Sequence, residues 1–238
     1  MPVKGDMPVI LSVGLLHMVA FAVLTSIGLQ YLPAGRSVVL AYTTPLWVLP
    51  AARIFLGEVL TTQRVAGLVL GMAGLAYLLQ PAAVDWTDHN MLLGHGLILM
   101  AAACWAACIV YGRAHNWITP PFLLLPWQAL LAGAAQTMLA LFIEGVPRIE
   151  WSAELVALLG YGSLIGTVLA YWAMNTVNRG LPASVTSMVL LGVPVVGLVG
   201  SSLLLGEPLD TTLLLATALI ATGIALGTFS RKAATARS

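Results

Sequence analysis

Apolar residues dominate the chain in eight long runs, and short polar or Pro/Gly-rich breaks separate these runs. Each run has about 19–24 residues, which is enough for a helix to cross a hydrocarbon core of roughly 30 Å. A membrane barrel would instead show segments of about ten residues with alternating polarity. The pattern therefore predicts eight transmembrane helices, near residues 9–31, 35–57, 62–80, 93–113, 121–143, 153–176, 183–205 and 211–229.

The composition favours an all-α integral membrane protein. Hydrophobic residues make up 60% of the 238 positions and charged residues 8%, whereas a soluble domain carries about 25% charged residues. The sequence has no basic run, so nucleic acid is not an expected partner. Cys104 and Cys108 lie four apart in one apolar run, without further metal-ligating residues nearby. We therefore expect them to be small packing residues, and we expect no metal or other cofactor.

The charged residues predict how the helices are oriented. If the N-terminus is cytoplasmic and the eight spans alternate, eight of the ten basic residues fall on the cytoplasmic side. Only Arg36 and Arg148 fall outside, together with seven of the nine acidic residues. Because basic loops remain in the cytoplasm, we expect a multi-pass protein of the plasma (inner) membrane with both termini cytoplasmic.

An internal repeat emerges when the sequence is shifted by 149 residues. Between 32–76 and 181–225, 13 of 45 positions are identical. Matches of Leu and Ala are common in such an apolar chain, but repeated Pro and Gly-Glu at one offset are not. The matches include Leu-Pro-Ala at 32–34 and 181–183, Pro45 with Pro194, and Leu-Gly-Glu at 56–58 and 205–207.

The two copies are expected to face opposite sides of the membrane. The repeat maps the first three spans onto the last three, and an odd number of spans separates the equivalents. Inverted repeats occur in many secondary transporters, which bind substrate at the repeat interface near the midplane. Duplication kept only for packing is the alternative. We assign the first repeat to 9–80, with three helices, and the second to 93–229, with five.

Several motifs, taken in order and spacing, resemble the EamA-type family of the drug/metabolite transporter superfamily. Leu-Pro-Ala, a mid-helix proline and Gly-Glu recur between positions 33 and 58 and between 182 and 207. The segment from Gly94 to Arg113 resembles the sixth helix of that family. Gly166-Thr167 followed by Ala170-Tyr171-Trp172 resembles its eighth.

The resemblance implies a ten-helix fold of two inverted five-helix repeats, of which this chain would lack the first two helices. In the family those two helices line the central cavity. The resemblance also implies transport of small metabolites or drug-like solutes by alternating access. The alternative is a truncated, non-transporting membrane protein or scaffold that needs the missing helices or a partner. A homo-oligomer is left open.

Prolines supply the first candidate substrate-binding residues. Pro45 and Pro194 fall near the centres of the second and seventh spans, and Thr44 lies beside the first of them. Proline cannot donate a backbone hydrogen bond and displaces the carbonyl four residues back. We expect the carbonyls of Ala41 and Leu190 to be released, and in lipid they must find a partner or face a cavity. Interrupted helices in both repeats mark binding sites in transporters, although a simple packing kink is the alternative.

Polar side chains provide the remaining candidates. Four of them recur every fourth residue and share one face of the sixth span: Ser163, Thr167, Tyr171 and Asn175. They would face a substrate cavity or bond neighbouring helices, and we select the last three as site residues. Three further candidates lie in other spans: His17, Trp105 and Gln128. An ionisable residue inside the membrane is a functional candidate by default, although His17 could simply bond a neighbour.

Glu58 and Glu207 each follow a glycine that ends one helix and precedes the next helix. Glycine suits the left-handed conformation at a helix C-terminus, and a carboxylate near a helix N-terminus is favoured by the helix dipole. We predict a role in the turn for both, outside the substrate site. The sequence has no HExxH motif, no paired-aspartate metal motif and no serine with an evident base, so we do not expect an enzyme.

Overall fold

The computed structural model describes residues 3–32, 34–79, 88–146, 149–196 and 211–228, and all regular structure in them is helical. Helices occur at all eight predicted positions, so the all-α membrane fold predicted from the hydrophobic runs is confirmed. They are α1 (Lys4–Gly28), α2 (Ala34–Ala41), α3 (Thr44–Leu56), α4 (Thr62–Leu79), α5 (His89–Ala114), α6 (Pro121–Ile143), α7 (Ala153–Gly180), α8 (Ala183–Val196) and α9 (Thr211–Thr228).

Not every predicted span is one continuous helix. In the described part of the chain, α1, α5, α6 and α7 are each long and apolar enough to cross a membrane. The second predicted span consists of α2 and α3, with a break at Tyr42 and Thr43. The seventh contains α8, and its remainder, with Glu207, lies outside the described residues.

Local sequence signals explain where several helices begin and end. Asp88 accepts a hydrogen bond from the backbone N–H of Asn90 (2.9 Å) at the start of α5. Ser152 caps α7 in the same way. At the end of α3, Gly57 has φ 65°, and the N–H of the next residue donates to the carbonyl of Ala52 at 3.1 Å. A left-handed residue at this position normally requires glycine.

Helices α4 and α9 cross at glycines and run antiparallel. A Cβ atom on Gly67 would lie 2.5 Å from the carbonyl oxygen of Gly223, so the two backbones are in direct contact. Farther along α4, a Cβ on Gly74 would lie 3.0 Å from the carbonyl oxygen of Ala216. The 149-residue offset relates Gly67 to Ala216 and Gly74 to Gly223, so it converts the first pair into the second. The crossing therefore has the pseudo-two-fold symmetry expected of an inverted repeat.

A second correspondence links α1 and α7. Residues Ser12–Phe21 of α1 form a π-helical segment, and Gly162–Leu169 of α7 form another. The 149-residue offset places these two segments on each other. Such segments are rare and are frequently found at functional sites. The assignment of whole repeats to 9–80 and 93–229 stays a prediction.

The two equivalent helices have different surroundings. Helix α1 packs against both α5 and α6, and the cluster formed there includes Val9, Val13, Cys108 and Leu124. By contrast, no residue in 153–170 of α7 is buried. Only the last turns of α7 enter the core, where Asn175 and Asn178 are buried.

Candidate substrate site

Aromatic side chains from three helices and from the break between α2 and α3 meet where α1, α5 and α7 approach one another. The His17 imidazole stacks on the indole of Trp105, with ring centroids 5.1 Å apart, and lies 4.9 Å from the ring of Tyr171. Phe21 contacts both His17 and Trp105, and Tyr42 approaches Trp105 at 6.0 Å. We call these five residues the ring cluster. It brings three of the predicted site residues together.

His17 lies nearer to the middle of its helix than the predicted span indicated. The predicted span 9–31 put it about one third of the way along the helix. Helix α1 begins at Lys4 and ends at Gly28, so His17 is close to its midpoint. At 1.5 Å per residue, either end of α1 is about 15–20 Å away.

A buried polar pair lies one helical turn from the ring cluster. The side-chain amide of Asn175 donates to Oε1 of Gln128 at 3.3 Å, and both residues are buried. Nε2 of Gln128 and Nε1 of Trp105 are also buried but have no hydrogen-bond partner among the described residues. A buried donor without a partner costs about 1–3 kcal/mol. Both nitrogens can therefore donate to a bound polar group.

The first of the paired prolines interrupts its helix, and the carbonyl that it releases has a partner. Pro45 lies in the first turn of α3 rather than in mid-helix, because the chain turns at Tyr42 and Thr43. The Thr44 hydroxyl donates to the released carbonyl of Ala41 at 2.7 Å. The Thr44 side chain is buried, and its hydroxyl is already bonded to the backbone three residues earlier.

The second proline also follows a helix break, but the carbonyl four residues before it accepts a backbone N–H instead of a hydroxyl. Helix α8 is interrupted at Leu190 and Leu191, and the Leu190 carbonyl accepts the N–H of Val193 at 3.1 Å. The sequence left two alternatives for these carbonyls, a hydrogen-bond partner or a cavity. Both carbonyls have a partner. Pro45 and Pro194 are buried, and their role in substrate binding stays a prediction.

The polar stripe of the sixth predicted span is only partly brought to the centre. Asn175 is buried and Tyr171 is half-buried, whereas Ser163 is exposed. The hydroxyl of Thr167 donates to the carbonyl of Gly162 in its own helix at 3.0 Å. In the described residues, Thr167 therefore lies outside both the ring cluster and the polar pair.

Two members of the ring cluster were not foreseen from the sequence. Phe21 is four residues after His17, and this spacing places both on one face of α1. Tyr42 lies in the break before α3, where no helical periodicity indicates its direction. The first could have been found from spacing, but the second depends on how α2 and α3 meet.

Glu58 binds the helix of the other repeat rather than the helix that follows it. Its carboxylate accepts hydrogen bonds from the backbone N–H of Ala183 (2.7 Å) and of Ser184 (3.3 Å), and from the Ser184 hydroxyl. Arg64 lies 3.7 Å from the same carboxylate. The predicted position at a helix end is confirmed, but the N-terminus that Glu58 caps is that of α8.

Asp6 makes a second connection of this kind before the apolar run of α1 begins. Its carboxylate is buried and accepts the backbone N–H groups of Ile118 (3.2 Å) and Thr119 (2.9 Å), and it lies 3.1 Å from Nε2 of His115. Burial alone would raise the pKa of this carboxyl. The hydrogen bonds from Thr119, His115 and Ile118 outweigh burial and hold the pKa below its usual value.

We expect Asp6→Asn to lower the free energy of unfolding by about 1.5–3 kcal/mol at pH 7, because it removes charge-assisted hydrogen bonds. A depressed pKa stabilises the fold above the ordinary carboxyl pKa, and this stabilisation is lost as the pH falls. The parent should therefore lose stability below about pH 4, and the variant should lose less. Unfolding temperatures between pH 7 and 3, with exposed Glu150→Gln as control, measure this. Parallel profiles for Asp6→Asn and its parent would contradict the assignment.

Five basic residues gather at one end of the bundle: Lys4, Arg53, Arg64, Arg113 and Arg179. Arg113 donates to the carbonyl of Arg179 at 3.1 Å. Arg53 and Arg64 both lie next to Glu58. Lys4 is close to Asp6, which contacts the turn after α5. In the described part of the chain, no group of three His, Cys, Asp or Glu side chains could hold a metal ion.

Apolar helices, an inverted repeat and a buried aromatic and polar centre are the features of a membrane transporter built from inverted repeats. The sequence profile of the EamA-like transporter family matches residues 2–80 and 92–229. The chain belongs to this family, and the resemblance noted from its motifs is confirmed. It is a multi-pass membrane transporter.

Named relatives agree with this assignment. The uncharacterized transporters YoaV and YvbV of Bacillus subtilis (strain 168) are 28% and 29% identical to this chain; the alignments cover 85% and 97% of it and 69% and 74% of the relatives. A probable amino-acid metabolite efflux pump of Escherichia coli (strain K12) is 25% identical, over 83% of this chain and 68% of that protein. A solved crystal structure superposes with a TM-score of 0.80 at 20% identity, over 96% of this chain and 79% of that one, and supports the fold alone.

Proposed function

We propose that this protein carries small amphipathic metabolites across the plasma membrane by alternating access, and that the substrate binds at the ring cluster and the polar pair. One observation carries this proposal. Two buried donors, Nε1 of Trp105 and Nε2 of Gln128, have no partner among the described residues. Trp105 belongs to the ring cluster, and Gln128 is bonded to Asn175, one helical turn from Tyr171. A substrate with hydrogen-bond acceptors would satisfy them.

The chemistry of the site favours amino-acid-like compounds as substrates. The free groups are donors, which suit a carboxylate or carbonyl oxygen. The rings of His17, Trp105 and Tyr171 offer stacking surface for an apolar part. Within the predicted spans the sequence has a carboxylate only at Glu154, at the very start of the sixth, which disfavours organic cations. The Escherichia coli relative is named as a probable amino-acid metabolite efflux pump, and this supports the same class.

Alternating access requires the ring cluster to open. His17 and Tyr171 lie in α1 and α7, which the 149-residue offset relates to each other, and their rings are in direct contact. A bound substrate would separate these rings. We propose that α1 and α7 move apart for loading, while the contacts of Glu58 and Asp6 hold the other side closed.

Flux into sealed vesicles tests the proposed transport. Purified protein is reconstituted, and uptake of a panel of radiolabelled amino acids and their acylated derivatives is compared with that of empty vesicles. Saturable flux of at least one compound, inhibited by the same compound unlabelled, supports the carrier. Absence of flux for the whole panel would favour the alternative of a chain that does not transport without a partner. The exposure of residues 153–170 in α7 is the observation that favours this alternative, and a homo-oligomer stays a prediction.

We expect Tyr171→Phe to weaken substrate binding by about fivefold, because one hydrogen bond contributes on the order of 1 kcal/mol. The ring is kept, so the fold should remain intact. Competition in the flux assay measures apparent affinity. Leu169→Ala, at an exposed position two residues away, is the control and should bind as the parent does. Unchanged affinity in Tyr171→Phe together with Asn175→Ala would place the site elsewhere.

We propose that the basic end of the bundle is cytoplasmic, which puts both termini on that side. Lys4, Arg53, Arg64, Arg113 and Arg179 are held at one end of the described structure, and basic residues favour the cytoplasm. Reporter fusions in the loop 85–90 should be exported, and fusions at 113–117 should remain cytoplasmic. A cytoplasmic reporter at 85–90 would reverse the orientation.

A further inference from the structure

A groove open to the side of the bundle runs between α3 and α5. It has a volume of about 480 Å³ and is lined almost wholly by apolar atoms. Trp47, Phe55 and Tyr111 form its aromatic wall, and Ala103 and Ala107 leave space on α5. Trp47 is 44% exposed and Phe55 75% exposed. In a bilayer this groove faces lipid.

A polar hollow adjoins the groove at the basic end of the bundle. This hollow has a volume of about 390 Å³, and His115, Asn116 and the Gly5 backbone lie on its walls. Tyr111 and Ala114 line both the groove and the hollow. The apolar groove and the polar hollow are thus neighbours at the level where the helices end.

Two basic residues are next in sequence to residues that line the hollow. Lys4 precedes the lining residue Gly5, Arg113 precedes the lining residue Ala114, and both basic side chains are exposed. The nearby carboxylate, Asp6, is buried and engaged by His115 and two backbone N–H groups. These hydrogen bonds partly offset its charge, and the two basic residues outnumber it. Each basic residue near a membrane surface attracts anionic lipid.

We propose that the groove and the hollow form a binding site for one anionic phospholipid. One acyl chain lies in the groove against Trp47, Phe55 and Tyr111. The phosphate-bearing headgroup occupies the hollow, within reach of Asn116, His115 and the Lys4 ammonium. The groove is lined almost wholly by apolar atoms and opens to the side of the bundle, which suits an acyl chain better than a soluble solute. This site is separate from the ring cluster and does not depend on the proposed transport.

Native mass spectrometry tests this site with defined lipids. The protein is purified in mild detergent and titrated with phosphatidylglycerol or phosphatidylcholine of the same acyl chains. We expect one phosphatidylglycerol to be retained about tenfold more tightly than phosphatidylcholine. Ala107→Leu fills the groove and should reduce retention about tenfold, because several buried methylenes are excluded. Ala134→Leu, at an exposed position on α6, is the matched control and should leave retention unchanged.

The headgroup end is tested with a charge series. Lys4→Gln should reduce the preference for phosphatidylglycerol. Lys4→Arg, which keeps the positive charge, should retain it. Equal retention of the two lipids by the parent, or equal retention by Ala107→Leu and Ala134→Leu, would overturn the proposal. If Ala107→Leu does not purify, quenching by chain-brominated phosphatidylglycerol is compared between the parent and Trp47→Phe. Identical quenching in these two proteins would also overturn it.

Discussion

Replacing Gly67 or Gly223 by alanine is expected to destabilise the protein by about 3 kcal/mol or more. A Cβ on Gly67 would lie 2.5 Å from the carbonyl oxygen of Gly223 and 2.7 Å from the backbone nitrogen of Gly227. A Cβ on Gly223 would meet the backbone of α4 at 2.6 Å. Backbone atoms cannot rotate away as a side chain can, so the helices must separate along their whole contact. At about 2–4 °C per kcal/mol for a chain of this size, the unfolding temperature should fall by roughly 6–12 °C.

Gly133→Ala is the matched control for both glycine variants. Gly133 lies in mid-helix in α6, and nothing lies within 4 Å of the Cβ it would gain. Alanine is the better helix former by about 1 kcal/mol, so this variant should be neutral or slightly stabilised. Thermal unfolding in detergent, followed by loss of the monodisperse peak in gel filtration, compares the three proteins. Equal stability of Gly67→Ala and Gly133→Ala would mean that α4 and α9 do not cross as closely as described.

Glu58→Ala is expected to lower the free energy of unfolding by about 2–3 kcal/mol. The substitution leaves the N–H groups of Ala183 and Ser184 without their acceptor, and hydrogen bonds to a charged group contribute about 1.5–3 kcal/mol. Little of the effect should come from Arg64, because a partly exposed ion pair at 3.7 Å contributes at most about 1 kcal/mol. The unfolding temperature measures the loss.

Two further variants distinguish the loss of the hydrogen bonds that cap α8 from a general effect of removing a negative charge. Ser184→Ala removes the hydroxyl donor alone, so its loss should be smaller, about 0.5–1.5 kcal/mol. Glu154→Gln removes an exposed carboxylate from the first turn of α7 and should cost only a few tenths of a kcal/mol. Were Glu58→Ala as stable as Glu154→Gln, the contact between the repeats would not stabilise the fold. In correctly folded Glu58→Ala protein, the loss of stability should exceed any change in substrate affinity.

The positions of the helices could be predicted from the sequence because a bilayer imposes one length on every apolar run. The inverted repeat could be predicted too, since Pro and Gly-Glu recur at one offset. The breaks at the prolines were foreseen, but not how their carbonyls are satisfied. That depends on a hydroxyl at Thr44 in one copy and on a turn ending at Val193 in the other.

Contacts between distant segments were beyond sequence reasoning. His17, Trp105 and Tyr171 were selected as separate intramembrane residues, and nothing in their spacing showed that their rings meet. Glu58 was assigned to a turn, yet its partner Ala183 lies 125 residues away. Such pairs depend on how whole helices pack, and the periodicity within one helix does not indicate which helix lies beside it.

The glycine crossing of α4 and α9 also constrains how the protein is made. Gly67 leaves the ribosome about 156 residues before Gly223, which at roughly 5–20 residues per second corresponds to about 8–30 s. During that interval α4 is already in the bilayer, and its glycine surface faces lipid or a temporary neighbour. A helix synthesised much later therefore completes the packing of α4, and assembly requires α9 to displace whatever had occupied that surface.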